Sequence, residues 1–215
     1  MGVRPEFQPT LPALVRRHAG WRERTTVVLL VVALLGFVAA VVLVRPRVDR
    51  IGDVVHRAEP AFSMQYRNDL FDRAQPRAGE LARIEGRRGR QSVAITVRPL
   101  ELPVHEGDVA HALLPVFASR HIRELAATVD GFVLRAEHRS RVNDAPGYEV
   151  RFRSGSTFGS DLMLVPRADE EEGALLVSLR REVRGRPRLS AREEEFADLA
   201  MQAMRSISYG TGLTN

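Results

Sequence analysis

One run of 20 residues without a charged side chain, Thr25–Val44, constrains this chain more than any other feature of its sequence. At 1.5 Å per residue a helix of that length measures about 30 Å, the thickness of the hydrocarbon core of a bilayer. Lipid offers an open backbone no hydrogen-bonding partner, so a chain that crosses it in one pass must be helical. The sequence therefore predicts a single transmembrane helix over residues 25–44.

The residues on both sides of this run suit a membrane interface. Aromatic side chains prefer the head-group level, and arginines can extend their charged ends towards it. The predicted interface residues are Trp21, Arg22, Arg24, Arg45 and Arg47. A cleaved signal peptide would have a shorter apolar core of about 7–15 residues. A buried core helix is rarely apolar on every face at the end of a chain. Both alternatives are weaker than a permanent span in the lipid bilayer.

The arginines that flank the span indicate its orientation. The basic tail, residues 1–24, holds five, and the first 15 residues after the span hold four. The positive-inside rule therefore slightly favours a cytoplasmic N-terminus, and a long C-terminal domain can translocate largely regardless of its charge. We predict a single-pass protein of the cell membrane with an extracytoplasmic C-terminal domain. The inverted topology, with the domain facing the cytoplasm, is the alternative.

Composition excludes several classes of function. The chain has no Cys, which excludes disulfides, thiolate zinc sites and cysteine nucleophiles. All 32 basic residues are arginine, against 27 acidic residues. Residues 45–215 hold 27 of those arginines and 25 of the acids, a net charge of +2. A nucleic-acid binder concentrates positive charge far more strongly, so no nucleic-acid partner is expected.

Hydropathy patterns divide the remainder of the chain. Residues 45–60 are mixed and predict a stalk or linker, residues 61–209 predict one domain, and residues 210–215 predict a flexible C-terminus. Alternation with a period of two predicts strands around Phe62–Tyr66, Leu81–Arg88, Gln91–Arg98, Phe132–Arg139, Tyr148–Arg153, Leu162–Val165 and Ala174–Val183. Gly86–Gly89 and Gly155–Gly159 are typical of hairpin turns.

Two segments predict helices. The first covers about Gly107–Thr128, where the interior Pro115 requires either a kink or a helix that begins near Leu114. The second follows a capping box of Ser190 and Glu193 and carries one apolar stripe up to Ile207. Because short loops favour antiparallel pairing, we expect an α+β domain with a mainly antiparallel, twisted sheet packed by two helices.

Three segments resemble a known family. They are the tyrosine-led strand PGYEVRF at 146–152, the paired strands LMLVP and ALLVSLR, and the closing helix EEFADLAMQAMRSISY. This order is similar to that of Mog1/PsbP-like α/β domains, including the membrane-linked and secreted members found in high-GC bacteria. The resemblance implies a non-enzymatic accessory or binding domain, and it carries over no ligand.

Motifs for catalysis are weak. His105, Glu106, Asp108 and His111 lack the i,i+4 spacing that places two metal ligands on one helical face. Gly155–Gly159 has Thr157 where a nucleophile elbow would have Ser. We therefore predict no catalytic residues, no metal site and no cofactor.

The strongest candidate for binding is a row of arginines on the predicted sheet. Four of them, Arg135, Arg139, Arg151 and Arg153, fall in the polar phase of two strands and could bind an anionic ligand together. Glu137 and Glu149 share that phase, so a salt-bridged, solvated face is the alternative. His138 falls in the opposite phase, where a buried neutral histidine is expected.

Together these patterns predict a membrane-anchored, non-catalytic binding or accessory domain of a bacterial envelope assembly. Its expected partners are the bilayer and either another envelope protein or an anionic envelope ligand. The alternatives are an envelope hydrolase with dispersed catalytic residues and a cytoplasm-facing membrane adaptor.

Overall fold

The structure is a computed structural model that describes residues 33–34, 51–102, 112–166, 173–185 and 189–210. The chain divides into two compact units, Met1–Asp49 and Arg50–Asn215. Within the described ranges, no helix has the length and apolar character needed to cross a bilayer. The run at 25–44 lies outside these ranges except for Ala33 and Leu34, which are helical.

The second unit contains strands and helices in an order close to the predicted one. Its strands are β1 (Ile51–His56), β2 (Phe62–Arg67), β3 (Asp72–Ala74), β4 (Ala82–Arg88), β5 (Gln91–Leu100), β6 (Phe132–Val142), β7 (Ala145–Ser154), β8 (Thr157–Leu164), β9 (Ala174–Val183) and β10 (Ser208–Tyr209). Its helices are α1 (Leu114–Thr128), between β5 and β6, and α2 (Ala191–Arg205), between β9 and β10.

All observed strand pairs are antiparallel. The strands form a three-stranded sheet, β1-β2-β10, and a seven-stranded sheet, β3-β4-β5-β9-β8-β7-β6. The prediction of a mixed α/β domain with antiparallel pairing and two helices is confirmed for the part of the chain that the structure describes.

The large sheet is covered differently on its two faces. Helix α2 and the small sheet cover one face, and the fully buried side chains of this larger core include Phe62, Met64, Phe71, Ile84, Ile95, Leu162, Leu164, Leu175, Phe196 and Met204. Helix α1 packs on the other face against β6 and β7. The smaller core beneath α1 consists of Leu114, Ala118, Val150, Met163, Val165 and Ala174. Among the described residues, the core beneath α1 includes no side chain of β4 and reaches β5 only at its last residue, Leu100.

Residues near the N-terminus of each helix explain where it begins. Pro115 lies in the first turn of α1, where the missing N–H has no intrahelical partner to lose, and the helix begins at Leu114 as the second predicted alternative has it. Ser190 and Glu193 form the predicted capping box of α2, each accepting a hydrogen bond from the backbone of the other.

The predicted linker over residues 45–60 is wrong in its second half. Residues Ile51–His56 form β1, which pairs along its full length with β2. The physical reason is burial, because Val54 is packed in the larger core with Phe62 and Met64. The folded unit therefore begins before residue 61.

The predicted alternation along β6 also fails. A β-bulge between Leu134 and Ala136 leaves Arg135 without a directly opposed partner on β7. One extra residue reverses the phase of everything that follows it, so that Arg139 lies opposite Tyr148. The sequence pattern carried no signal of this insertion.

Candidate functional site

A groove lies on the α1 face of the large sheet, over β4, β5 and β9. Two adjoining recesses of about 570 and 260 Å³ form it, and both are lined by Ala94 and Arg180. Its floor holds small side chains of β5 and β9, including Ser92, Thr96 and Ser178. We call this feature the sheet groove.

One end of the sheet groove is basic. Arg77, Arg83, Arg98 and Arg180 line it together with Glu80, the one acidic residue in that recess among the described residues. The Glu80 carboxylate is buried and accepts hydrogen bonds from the Arg77 backbone N–H at 3.0 Å and from Arg83 Nη1 at 3.0 Å. Arg98 Nη2 lies 3.3 Å from the same carboxylate. Burial alone would raise the pKa of Glu80, but these donors outweigh it and hold the pKa below its usual value.

The opposite end of the sheet groove is acidic at its rim. Asp72, Glu85 and Glu182 line that recess, with Arg87 and Arg180 as its basic members. Glu85 accepts a hydrogen bond from Arg83 Nε at 2.6 Å, and Glu182 accepts one from Arg184 Nε at 3.4 Å. These carboxylates remain partly in water, so each pair is worth little to stability while still fixing where the negative charge lies.

A fully buried carboxylate holds the centre of this face. Asp161 on β8 accepts two hydrogen bonds from Arg180, at 2.5 and 2.9 Å, and lies 2.7 Å from Nε2 of His121 on α1. Burial alone would raise the pKa of Asp161, but the hydrogen bonds from His121 and Arg180 lower it to about 2. The carboxylate is therefore ionised at neutral pH and ties α1 to the sheet.

A histidine–aspartate pair can also serve catalysis by orienting a general base. Here Arg180 occupies both oxygens of Asp161. The recess beside His121, about 480 Å³, has Leu100, Leu102, Phe117, Met163 and Leu176 in its lining, with Glu101, Arg120 and Glu124 at its polar side. Among the described residues that line it, none carries a hydroxyl or thiol that His121 could activate. The geometry therefore favours a positioning role for the pair.

The four arginines of the predicted binding face do not lie together. Arg151 and Arg153 project to the α2 side of the large sheet, and Arg139 projects to the α1 side because of the bulge at Arg135. The prediction that they form one face is therefore wrong. Their individual roles as ligand-binding residues stay predictions.

Arg151 is engaged by a second buried carboxylate. Glu149 on β7 is 1% exposed and accepts hydrogen bonds from Arg151 Nε at 2.6 Å, Ser160 Oγ at 2.9 Å and Arg205 Nη2 at 2.9 Å. Burial alone would raise the pKa of Glu149, but these donors lower it to about 2. His138 lies 3.4 Å from the same carboxylate and is 44% exposed, so the expectation of a buried histidine is wrong.

The remaining predicted residues lie outside the described ranges. They are the interface residues Trp21, Arg22, Arg24, Arg45 and Arg47, and the histidine and acidic residues at 105–111. Within the described ranges, no group of three or more His, Asp or Glu side chains could hold a metal ion.

Sequence reasoning missed Glu80 and Asp161. Asp161 carried one usable signal, since it is a single carboxylate at the start of the apolar run Leu162–Val165. A charge in such a run is buried only when it is paired. Its partners, His121 and Arg180, are 40 and 19 residues away, which no local pattern shows.

Known proteins give limited further information. No family model matches the chain, and no curated protein matches it. Among solved structures, the cyanobacterial PsbP protein (CyanoP) of Synechocystis sp. PCC 6803 matches with 9% identity and a TM-score of 0.48, covering 75% of this chain and 93% of that one. LpqN, described as involved in cell envelope biogenesis of Mycobacterium tuberculosis, matches with 11% identity and a TM-score of 0.47, covering 75% of this chain and 92% of that one.

CyanoP is a member of the family that the sequence resembles. At these identities and TM-scores the matches assign neither a family nor a function to this chain. The described part of the second unit is a mixed α/β domain with two antiparallel sheets and two helices.

Proposed function

We propose that this chain is a membrane-anchored, non-catalytic accessory domain that binds a partner protein through the sheet groove. One observation carries the proposal: the groove is basic at the end around Glu80 and acidic at the end formed by Asp72, Glu85 and Glu182. A polyanion or a nucleic acid would be repelled by the acidic end. An extended protein segment with acidic residues at the basic end of the groove and basic residues at its acidic end is complementary to both.

The construction of the groove supports this role. Three of its arginines, Arg83, Arg98 and Arg180, are held in place by the buried carboxylates of Glu80 and Asp161. Its floor of Ala94, Thr96 and Ser178 leaves room for a backbone to approach the sheet. Preorganised charges of this kind reduce the cost of ordering side chains when a partner binds.

The partner can be tested by photo-crosslinking from inside the groove. A photoreactive amino acid at Ser92 of the full chain, in living cells, is expected to give one discrete protein adduct. The matched position Gln202, exposed on α2, is expected to give none. Glu182→Arg reverses the sign at the acidic end and is expected to lower the yield about fivefold, the effect of about 1 kcal/mol.

The control for charge reversal is Glu194→Arg on the exposed side of α2, which is expected to leave the yield unchanged. The proposal is wrong if the probe at Ser92 gives no adduct or if the probe at Gln202 captures the same protein equally. It is also wrong if Glu182→Arg and Glu194→Arg change the crosslinking yield by the same factor.

The anchor and the extracytoplasmic location are part of the same proposal, and they rest on the apolar run at 25–44 and on the arginines that flank it. Because the chain has no native Cys, an introduced thiol gives no background labelling. Thr214→Cys is expected to react with a membrane-impermeant maleimide in intact cells. Gly2→Cys is expected to react only after lysis. The reverse pattern would establish the cytoplasm-facing adaptor instead.

A further inference from the structure

A separate pocket lies on the other face of the large sheet, at the end formed by the β7–β8 hairpin, the end of β9 and the residues before α2. Its volume is about 260 Å³. Two arginines line it, together with Phe158 and small or apolar residues: Gly155, Ser156, Val183, Gly185 and Leu189. Among the described residues, no carboxylate belongs to its lining.

Strand register brings the two arginines to either side of one aromatic ring. Arg153, Phe158 and Arg181 are directly opposed on β7, β8 and β9, so the three side chains form one row on one face. The guanidinium carbon lies 5.3 Å from the Phe158 ring centroid for Arg153 and 4.5 Å for Arg181. Cation–π contact at these distances orients a guanidinium but satisfies none of its hydrogen-bond donors.

Few hydrogen-bond donors of these two arginines have a partner among the described residues. Arg153 donates through Nε to the Gly155 carbonyl at 2.9 Å, and among the described residues neither its terminal nitrogens nor those of Arg181 form an ion pair. Burial lowers the pKa of Arg181 below its usual value, and the charge of Asp198 opposes this only through space. Partial burial of a cation without a hydrogen-bonded counter-charge costs desolvation free energy. An anion bound in the pocket would offset that cost.

Three other arginines on the sheet, each beside a buried carboxylate, differ in this respect. Arg151 donates to Glu149, Arg180 to Asp161 and Arg83 to Glu80. Each of those three arginines has a carboxylate of the domain as its partner. Among the described residues, no carboxylate lines the pocket around Phe158.

We propose that this pocket binds the phosphoryl group of a ligand, with Arg153 and Arg181 as the residues that donate to its oxygens. A tetrahedral oxyanion offers several acceptors to donors approaching from two sides, and guanidinium–phosphate hydrogen bonds are charge-assisted. Leu189, Val183 and the Phe158 ring provide an apolar wall for the attached part of the ligand. This site lies on the opposite sheet face from the sheet groove and does not depend on a protein binding there.

The test is titration of the full chain in zwitterionic nanodiscs with inorganic phosphate, glycerol 1-phosphate and a short-chain soluble phosphatidylglycerol. Ionic strength is held constant with sodium chloride, and calorimetry gives the dissociation constant. Saturable binding of at least one probe is expected. Arg181→Gln and Arg153→Gln are each expected to weaken it about tenfold or more, and the double variant to abolish it.

The matched control is Arg184→Gln, an exposed arginine just beyond the end of β9 that pairs with Glu182 and does not line the pocket. It is expected to bind as the unaltered chain does. Tighter binding of the soluble lipid would identify a phospholipid head group as the source of the phosphoryl group. Tighter binding of inorganic phosphate or glycerol 1-phosphate would identify a free phosphate compound. Absence of saturable binding of all three probes would overturn the proposal. Unchanged binding by a double variant that melts at the same temperature as the unaltered chain would overturn it too.

Discussion

Replacing Phe196 by alanine is expected to lower the free energy of unfolding by about 3–5 kcal/mol, among the largest effects of a single substitution in this domain. Phe196 lies on α2, is fully buried, and stacks on Phe71 with ring centroids 4.9 Å apart. Removal of the ring loses its transfer free energy and leaves a cavity that the surroundings cannot fill. The packing there is tight, since Gly86 on β4 lies directly against both rings.

The measurement is urea unfolding of the full chain in detergent, followed by far-UV circular dichroism. Val116→Ala is the matched control, since Val116 lies on α1 with 64% of its surface exposed, and its change is expected to stay within about 0.5 kcal/mol. A loss below about 1 kcal/mol for Phe196→Ala would mean that α2 moves in to close the cavity. The interpretation of this contact as a rigid part of the core would then be wrong.

The elements that the sequence predicted well are those whose structure depends on nearby residues. The capping box of α2 joins residues three apart, and β5 shows its burial by simple alternation of Val93, Ile95 and Val97. The hairpin predicted at Gly155–Gly159 is present because its turn, at Gly155 and Ser156, involves only the ends of β7 and β8, while Thr157–Gly159 belong to β8. In each case one local pattern decides one local structure.

The predicted hairpin turn at Gly86–Gly89 was half correct, and its error is informative. The turn lies at Gly89 and Arg90, while Gly86 belongs to β4. A Cβ atom at Gly86 would lie 2.6 Å from the Leu70 carbonyl oxygen and 2.5 Å from the Phe71 ring. Glycine is therefore required there by close packing of a distant segment, which looks the same in a sequence as glycine required by a turn.

The candidate sites could not be predicted, because they depend on strand order. Glu149 falls in the polar phase of β7, yet it is buried beneath the side chains that donate to it, Arg151, Ser160 and Arg205. The predicted arginine row failed at a bulge of one residue. The sheet groove joins β4, β5 and β9, and the Phe158 pocket joins β7, β8 and β9. The strands of the sheet groove are not recognisable as neighbours until the crossover from β5 to β9 is known, whereas the pocket lies on three consecutive strands and depends on their register.

The second large effect is expected from Asp161→Asn, which removes the buried charge that holds α1 on the sheet. Breaking a buried ion pair costs about 3–5 kcal/mol, but Arg180 and His121 are partly exposed and water can reach them. We therefore expect a loss of about 2–3 kcal/mol at pH 7, measured by urea unfolding. Glu124→Gln is the matched control on α1, since Glu124 and Arg120 form an exposed pair worth less than about 0.5 kcal/mol.

The pH dependence of that loss separates a charge effect from a packing effect. The pKa of Asp161 is about 2 in the folded chain, below the value of about 3.9 expected when the chain is unfolded. Its stabilisation is therefore complete above about pH 5 and is lost as the pH falls towards 2, because the unfolded chain takes up the proton first. The neutral amide has no such dependence, so the difference in unfolding free energy between Asp161→Asn and the unaltered chain should shrink by about 2 kcal/mol between pH 5 and pH 2. A difference that stays constant over this range would show that Asp161 stabilises the domain through its shape and hydrogen bonds rather than through its charge.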